Sequence, residues 1–215
     1  MARLQRKTGL EIAQQGFAQA EYELGDQIDS DVALEFVNQG LAELHELLTE
    51  SYEDFFIAEH DFVAGTEEQA LPEDFFRAIK LFDTSDGSEV RRVTLKRLQQ
   101  AQAYPSYWSG LHYRILGWKV YFSEAPSSVV RLYYVPQFQP LADLGQEVSF
   151  PVPVSWYRYV VADITARILA YEESPYTFYE GRKQQMAAQM REMASVRDME
   201  PEPFEDRAPV DILEL

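Results

Sequence analysis

Apolar positions recur along this chain with two different periods. Between residues 32 and 52, Val37, Leu41, Leu44 and Leu48 fall at i, i+4, i+7 and i+11, with Ala33 and Leu47 beside them. Asn38, Glu43, Glu46 and Glu50 take the other faces. That rhythm predicts an amphipathic helix, one side packed and the other wet. Residues 8–24 carry a looser version in Ile12, Ala13, Phe17, Ala20 and Leu24, weakened by Gly16. Between them GDQIDSD, 25–31, reads as a turn and then a helix start, with Ser30 or Asp31 as N-cap. Glu35 adds a negative charge near the positive end of that helix.

After residue 52 the period shortens. DFFIAEHDFVAGT, 54–66, is aromatic and apolar enough for a strand ending at Gly65. A proline-marked turn, an apolar stretch at 75–82 and a break at TSDGS follow. If 93–97 is extended, Val93, Leu95 and Arg97 share a face opposite Thr94 and Lys96. Residues 104–137 read as strands: 113–116 and 119–122 flank Gly117 as in a hairpin, and 129–135 follows the turn at Ala125-Pro126-Ser127. The middle of the chain is expected to form a small antiparallel sheet.

The helical period then returns. In VSWYRYVVADITARILAYEE, 154–173, Trp156, Val160, Ile164, Ala166 and Ile168 make a broad apolar face, while Arg158, Asp163 and Arg167 are expected to stay on a polar side. Pro175 separates this helix from another over 178–198, where Met186, Met190 and Met193 repeat at helical spacing. Such a stripe is first of all core, and methionine also suits an adaptable contact between subunits. The expected fold is therefore α+β: mainly a helical bundle, with a small antiparallel β-sheet inserted and an extended C-terminal tail. Residues 1–53 supply its N-terminal helices, 54–150 the β-rich insertion, 151–198 its C-terminal helices and 199–215 the acidic tail.

Composition narrows the function. The 215 residues, 46% apolar and 13% aromatic, can bury a real core. The absence of cysteine removes disulfides, thiolate metal sites and thiol nucleophiles together. No apolar run approaches the ~20 residues needed to span a bilayer. The N-terminal MARLQRKTGLEIAQQG is basic without the apolar stretch of a secretory signal, so a soluble, intracellular chain is expected at synthesis. A net charge of −17 repels phosphates and disfavours binding of nucleic acid by counterion release. The densest basic cluster, Arg91-Arg92 with Lys96-Arg97 and Arg77 and Lys80 nearby, reads instead as an ion-pairing strip toward acidic neighbours, including another copy of this chain.

Catalytic patterns are scarce. Glu43-Leu-His45-Glu46 and Glu59-His60-Asp61 are the best metal-like groups, but neither supplies the i, i+4 histidine pair of a zinc helix. No GxSxG elbow, GxxxxGK[ST] loop or GxGxxG turn occurs. No enzymatic activity, metal or other cofactor is expected.

The tail, EPEPFEDRAPVDILEL, poses a different question: three prolines and six acidic residues are followed by an apolar tip. Phe204, Val210, Ile212, Leu213 and Leu215 would each contribute ~1.5–3 kcal/mol on full burial. Ordering the backbone would cost ~1–2 kcal/mol per residue, so a single tail binds weakly and many tails on one assembly bind durably.

Several stretches, taken in order, resemble the head–tail connector adaptors of tailed bacteriophages. SDVALEFVNQGLAELHELL, 30–48, resembles that family's second helix, with Asn38-Gln39-Gly40 where Asn-x-Ala is usual. LPEDFFRAIKLF, 71–82, is similar to the entry into the β region. YPSYWSGLHYRILGWKVYFSEAP, 104–126, and VRLYYVPQFQPL, 130–141, resemble the aromatic hairpin and the tyrosine-rich strand after it, and 151–173 the returning helix. The resemblance covers 28–195; the N-terminal segment and the acidic tail depart from it.

The resemblance implies a structural protein of the virion, assembled in the bacterial host cytoplasm. It implies a homo-oligomeric ring, a dodecamer, below the portal protein, joining the DNA-filled capsid to the next tail component (nozzle, stopper or tail tube). DNA would pass through the lumen without sequence-specific binding, and no membrane is involved. Phe204, Val210, Ile212, Leu213 and Leu215 are the expected portal-binding residues. Arg91, Arg92, Lys96, Arg97, Met186 and Met190 are the expected inter-subunit residues. Two other readings stay open: an acidic interaction module that recruits a partner through its tail, and a metal-dependent hydrolase using His45 or His60 with nearby acids.

Overall fold

The computed structural model describes residues 4–25, 28–51, 56–150 and 152–197. In chain order its elements begin with β1 (Leu4–Gln5), α1 (Gly9–Gln19) and α2 (Ser30–Ser51). A β-rich stretch follows: β2 (Ala58–Phe62), β3 (Glu68–Ala70), β4 (Phe75–Asp83), β5 (Arg91–Arg92), α3 (Leu95–Ala103), β6 (His112–Leu116), β7 (Lys119–Phe122) and β8 (Val130–Pro136). The last are β9 (Val152–Pro153), α4 (Tyr157–Tyr171) and α5 (Thr177–Arg197). The chain divides into two compact units, one of residues 1–3, 10–52 and 153–215, the other of 4–9 and 53–152.

The first unit is helical. Ile12, Ala13 and Phe17 of α1 and Val37, Leu41, Leu44 and Leu48 of α2 are buried, as their periodicity predicts. The buried set of α4 is wider than one face: it runs through Tyr159, Val160, Val161 and Ala162 to Ala166, and takes in Asp163 and Thr165. Two glycines allow the close approach that this needs. A Cβ on Gly16 would stand 2.6 Å from Ile164 Cγ2, and one on Gly40 would stand 2.9 Å from Val160 Cγ1. The expected polar side of α4 is therefore corrected at Asp163, which lies inside the unit rather than in solvent.

Helix ends differ from the sequence expectation for local reasons. The cap of α2 is Asp29: its Oδ1 accepts from the N–H groups of Asp31 and Val32, at 3.1 and 3.0 Å. Helix α1 stops at Gln19 because Glu21 adopts φ +64°, and Tyr22 N–H then bonds back to Phe17 O at 3.0 Å. Helix α4 ends the same way, with Glu173 at φ +54° and Ser174 N–H donating to Leu169 O at 2.8 Å. This is the capping motif in which glycine usually supplies the left-handed residue, so no glycine announces it here.

The second unit corrects the expectation of one small antiparallel sheet. Strands β2, β8 and β4 form a three-stranded antiparallel sheet with β8 central. Strands β3, β7, β6 and β5 form a four-stranded sheet, in which β5 runs parallel to β6. The β6–β7 hairpin pairs Tyr113 with Phe122 and Leu116 with Lys119, and Gly117 turns it at φ +58°. Both sheets contribute to one core of Phe62, Leu81, Tyr113, Phe122, Val130 and Leu132. β1 pairs with β9, and Val148 N–H donates to Lys7 O. The whole is α+β and not a pure helical bundle.

Candidate assembly surfaces

Among the predicted assembly residues, the structure places the basic strip and the two methionines, Met186 and Met190. Arg91 and Arg92 lie on β5, at the edge of the four-stranded sheet, registered with His112 and Tyr113 of β6. Lys96 and Arg97 do not continue that strand. Thr94 caps a helix instead, its Oγ1 accepting from Arg97 N–H at 3.4 Å, so the extended reading of 93–97 is corrected to the first turn of α3. Threonine, next to an apolar pair at i and i+3 (Leu98 and Ala101, both buried), was the available signal. Gln102 ties the far end of α3 to the sheet through a hydrogen bond to Phe122 O at 3.1 Å.

All four cations are exposed, and none forms an ion pair among the described residues. Lys96 and Arg97 occupy the end of α3 where the helix dipole disfavours positive charge, so they are not there to stabilise the helix. At the other end of α3, Tyr104 and Tyr107 are 62% and 85% exposed, their rings 6.4 Å apart edge to face.

Beside β5 an open cleft of about 590 Å³ is lined by Asp83, Asp86, Glu89, Arg91, Glu124 and Pro126, among others. Hydrogen bonds from Ser128 and Ser85 hold the Asp83 carboxyl below the usual carboxylate range. On the three-stranded sheet Arg131 bonds Asp61 at 2.7 Å and pairs with Glu59 at 3.1 Å across strands. That bond lowers the pKa of Asp61 and raises that of Arg131.

The methionine stripe divides. Met190 is buried with Ala194 in the helical unit, Met186 is half-buried, and Met193 is exposed. Phe204, Val210, Ile212, Leu213 and Leu215 lie outside the described residues.

The strongest polar constellation is one that sequence reading missed. Asp163, 4% exposed, accepts from Arg167 Nε at 2.7 Å and from Lys183 Nζ at 2.6 Å. Glu43 accepts from Arg167 Nη2 at 2.7 Å and also pairs with Lys183, and Gln39 Oε1 accepts from Arg167 Nη1 at 2.6 Å. Burial opposes the charge of Lys183, but bonds to Asp163 and Glu43 outweigh it and raise its pKa. The cluster joins α2, α4 and α5 with every charge compensated. The i, i+4 spacing of Asp163 and Arg167 was legible; Lys183, from a separate helix, was not.

The histidines of the hydrolase reading are not brought into a ligand set. His45 is buried in α2, its pKa pushed down to about 4 by desolvation. His60 stacks edge-on against Phe62 in β2, with ring centroids 5.0 Å apart. No group of three metal-ligating side chains occurs among the described residues. Nor, among them, is any helix long and apolar enough to cross a membrane.

A family model described as SU10 adaptor protein matches residues 14–209. No curated protein sequence matches the chain.

Proposed function

This chain belongs to the SU10 adaptor protein family of phage head–tail adaptors, and we propose that it acts as a ring-forming joint between portal and tail. Its role is structural. The observation that carries the reading is the extent of the match, which runs through both compact units and into the tail. In this reading identical copies, twelve to a ring, bind below the portal vertex and present a platform to the next tail component.

The charge supports a conduit. A lumen wall drawn from a chain of net charge −17 keeps DNA phosphates from adhering as the genome passes, because the repulsion acts within about a Debye length, ~8 Å at physiological salt. The copies themselves repel one another for the same reason, so the ring needs local contacts of opposite sign. Arg91, Arg92, Lys96 and Arg97 are the proposed positive side of those contacts. A heterologous contact between two different patches is what closes such a ring.

The C-terminal segment is the proposed portal ligand. Phe204, Val210, Ile212, Leu213 and Leu215 lodge in an apolar groove or extend a sheet edge on the portal, and repetition around the ring turns weak single contacts into a durable joint. A chain ending at residue 199 tests this. It should keep the circular dichroism and melting behaviour of the full chain yet fail to co-sediment with portal rings. Retained co-sedimentation would remove the tail from the joint.

A further inference from the structure

Charge is segregated along this chain more sharply than its total suggests. Between Lys7 and Arg77 there is no lysine or arginine, and eighteen Asp and Glu residues fall in that interval. Residues 77–97 then carry six cations. The four at 91–97 make an exposed strip on the second unit with no ion pair among the described residues. Exposed Leu95 lies in the same turn as Lys96 and Arg97, and Tyr104 and Tyr107 follow at the end of the helix. Arginine and tyrosine are among the residue types enriched where protein partners bind tightly.

The helical unit carries the complement. Gly25 N–H donates to Ile28 O at 3.1 Å in the loop between α1 and α2. Glu21, Glu23, Asp29, Asp31 and Glu35 on and beside that loop are all exposed and form no ion pair among the described residues. Among its described residues one chain thus carries an unpaired positive strip and an unpaired negative corner.

We propose that the 91–97 strip of one copy docks on the acidic group of Glu21, Glu23, Asp29, Asp31 and Glu35 of a second copy. The contact deepens the ring reading, on which it rests for its place in the virion but not for its chemistry. The occupant is a second copy rather than nucleic acid, because the cleft beside Arg91 carries Asp83, Asp86, Glu89 and Glu124 and would repel a phosphate backbone. An acidic protein corner meets the strip only locally and avoids most of that repulsion.

The cysteine-free chain makes the test direct. Full-length Lys96→Cys and Asp31→Cys variants, one of them isotope-labelled, are mixed under mild oxidation and the mixed disulfide is followed by mass. Only contact between molecules yields that product. It should form roughly tenfold faster than the control pair Lys96→Cys with Glu180→Cys, and slow several-fold in about 0.5 M salt, where the Debye length falls to about 4 Å, as steered association does. Adding Arg91→Glu and Arg92→Glu to the Lys96→Cys partner should reduce the rate to the control level; adding Glu23→Lys to the Asp31→Cys partner should then restore part of it. A mixed disulfide no faster than the control, or one indifferent to salt and to charge reversal, overturns the proposal. So does saturable binding of a duplex DNA oligonucleotide at physiological salt that is lost with Arg91→Glu and Arg92→Glu. If the disulfide forms as expected and the chain ignores portal rings, the adaptor reading falls and this contact stands. If the chain rings the portal without it, the reverse holds.

Discussion

Lys183 of α5 reaches across to Asp163 of α4 and places its ammonium 2.6 Å from a carboxylate that is itself almost wholly buried. Few apolar side chains of α5 are buried, Met190 and Ala194 among the described residues, so this ion pair and its partner Glu43 fix the helix in rotation and register. The helix that precedes the tail is held by charge as much as by packing.

Removing Asp163 leaves Arg167 and Lys183 to share Glu43 as the one carboxylate still between them. Asp163→Ala is expected to destabilise the fold by about 3 kcal/mol, the range for breaking a buried pair. Urea denaturation gives the value. A double-mutant cycle of Asp163→Ala with Lys183→Met should return a coupling of at least about 1 kcal/mol; additive effects would mean that the pair contributes nothing to stability.

Three glycine-to-alanine substitutions should differ in sign. At Gly16 and Gly40 the new methyl meets Ile164 and Val160 at 2.6 and 2.9 Å, so each variant should melt lower despite better helix propensity. At Gly181, on the exposed side of α5, a Cβ meets nothing within 4 Å. There alanine should stabilise by up to about 1 kcal/mol. Differential scanning calorimetry of the three variants decides it.

The left-handed glutamates offer a gain of another kind. Glu173 and Glu21 hold φ values of +54° and +64°, which a non-glycine side chain adopts at a cost of about 1–2 kcal/mol. Glu173→Gly relieves that strain and should raise the denaturation midpoint, by somewhat less than the strain because glycine also loosens the unfolded chain. An unchanged or lower midpoint would show the turn to be unstrained.

His45 gives the fold an acid-side dependence. Its pKa falls from 6.5 to about 4 on folding, so the unfolded chain binds the extra proton between those values. Stability from this group is complete above pH 6.5 and is lost as pH falls toward 4, by roughly 3 kcal/mol in total. Wild type and His45→Gln, compared by chemical denaturation at pH 7 and pH 4.5, should differ in slope, with the variant flatter. Parallel slopes would place the titration elsewhere.

The periodic elements were legible because each is set by its own residues: the Val37–Leu41–Leu44–Leu48 stripe, the hairpin about Gly117, the strand after Pro126. What the sequence hid depends on partners far along the chain. A parallel β5–β6 pair cannot be read from either strand, and α3 hid behind Thr94 because a nine-residue helix with two buried side chains has little apolar rhythm. Asp163 sat among hydrophobic neighbours without revealing that Lys183, twenty residues on, would compensate it. At the assembly surfaces, the clustering of Arg91, Arg92, Lys96 and Arg97 was visible from the start. That they stand unpaired among the described residues needed the fold.

Electron cryomicroscopy of the purified full-length chain mixed with its portal decides whether copies join into a ring. Added density should appear as a closed ring of copies on one end of the portal, coaxial with its channel, with the four-cation strip of each copy turned toward the next. Portals that stay bare at saturating protein, or that bind isolated copies without a ring, would contradict the ring-forming joint.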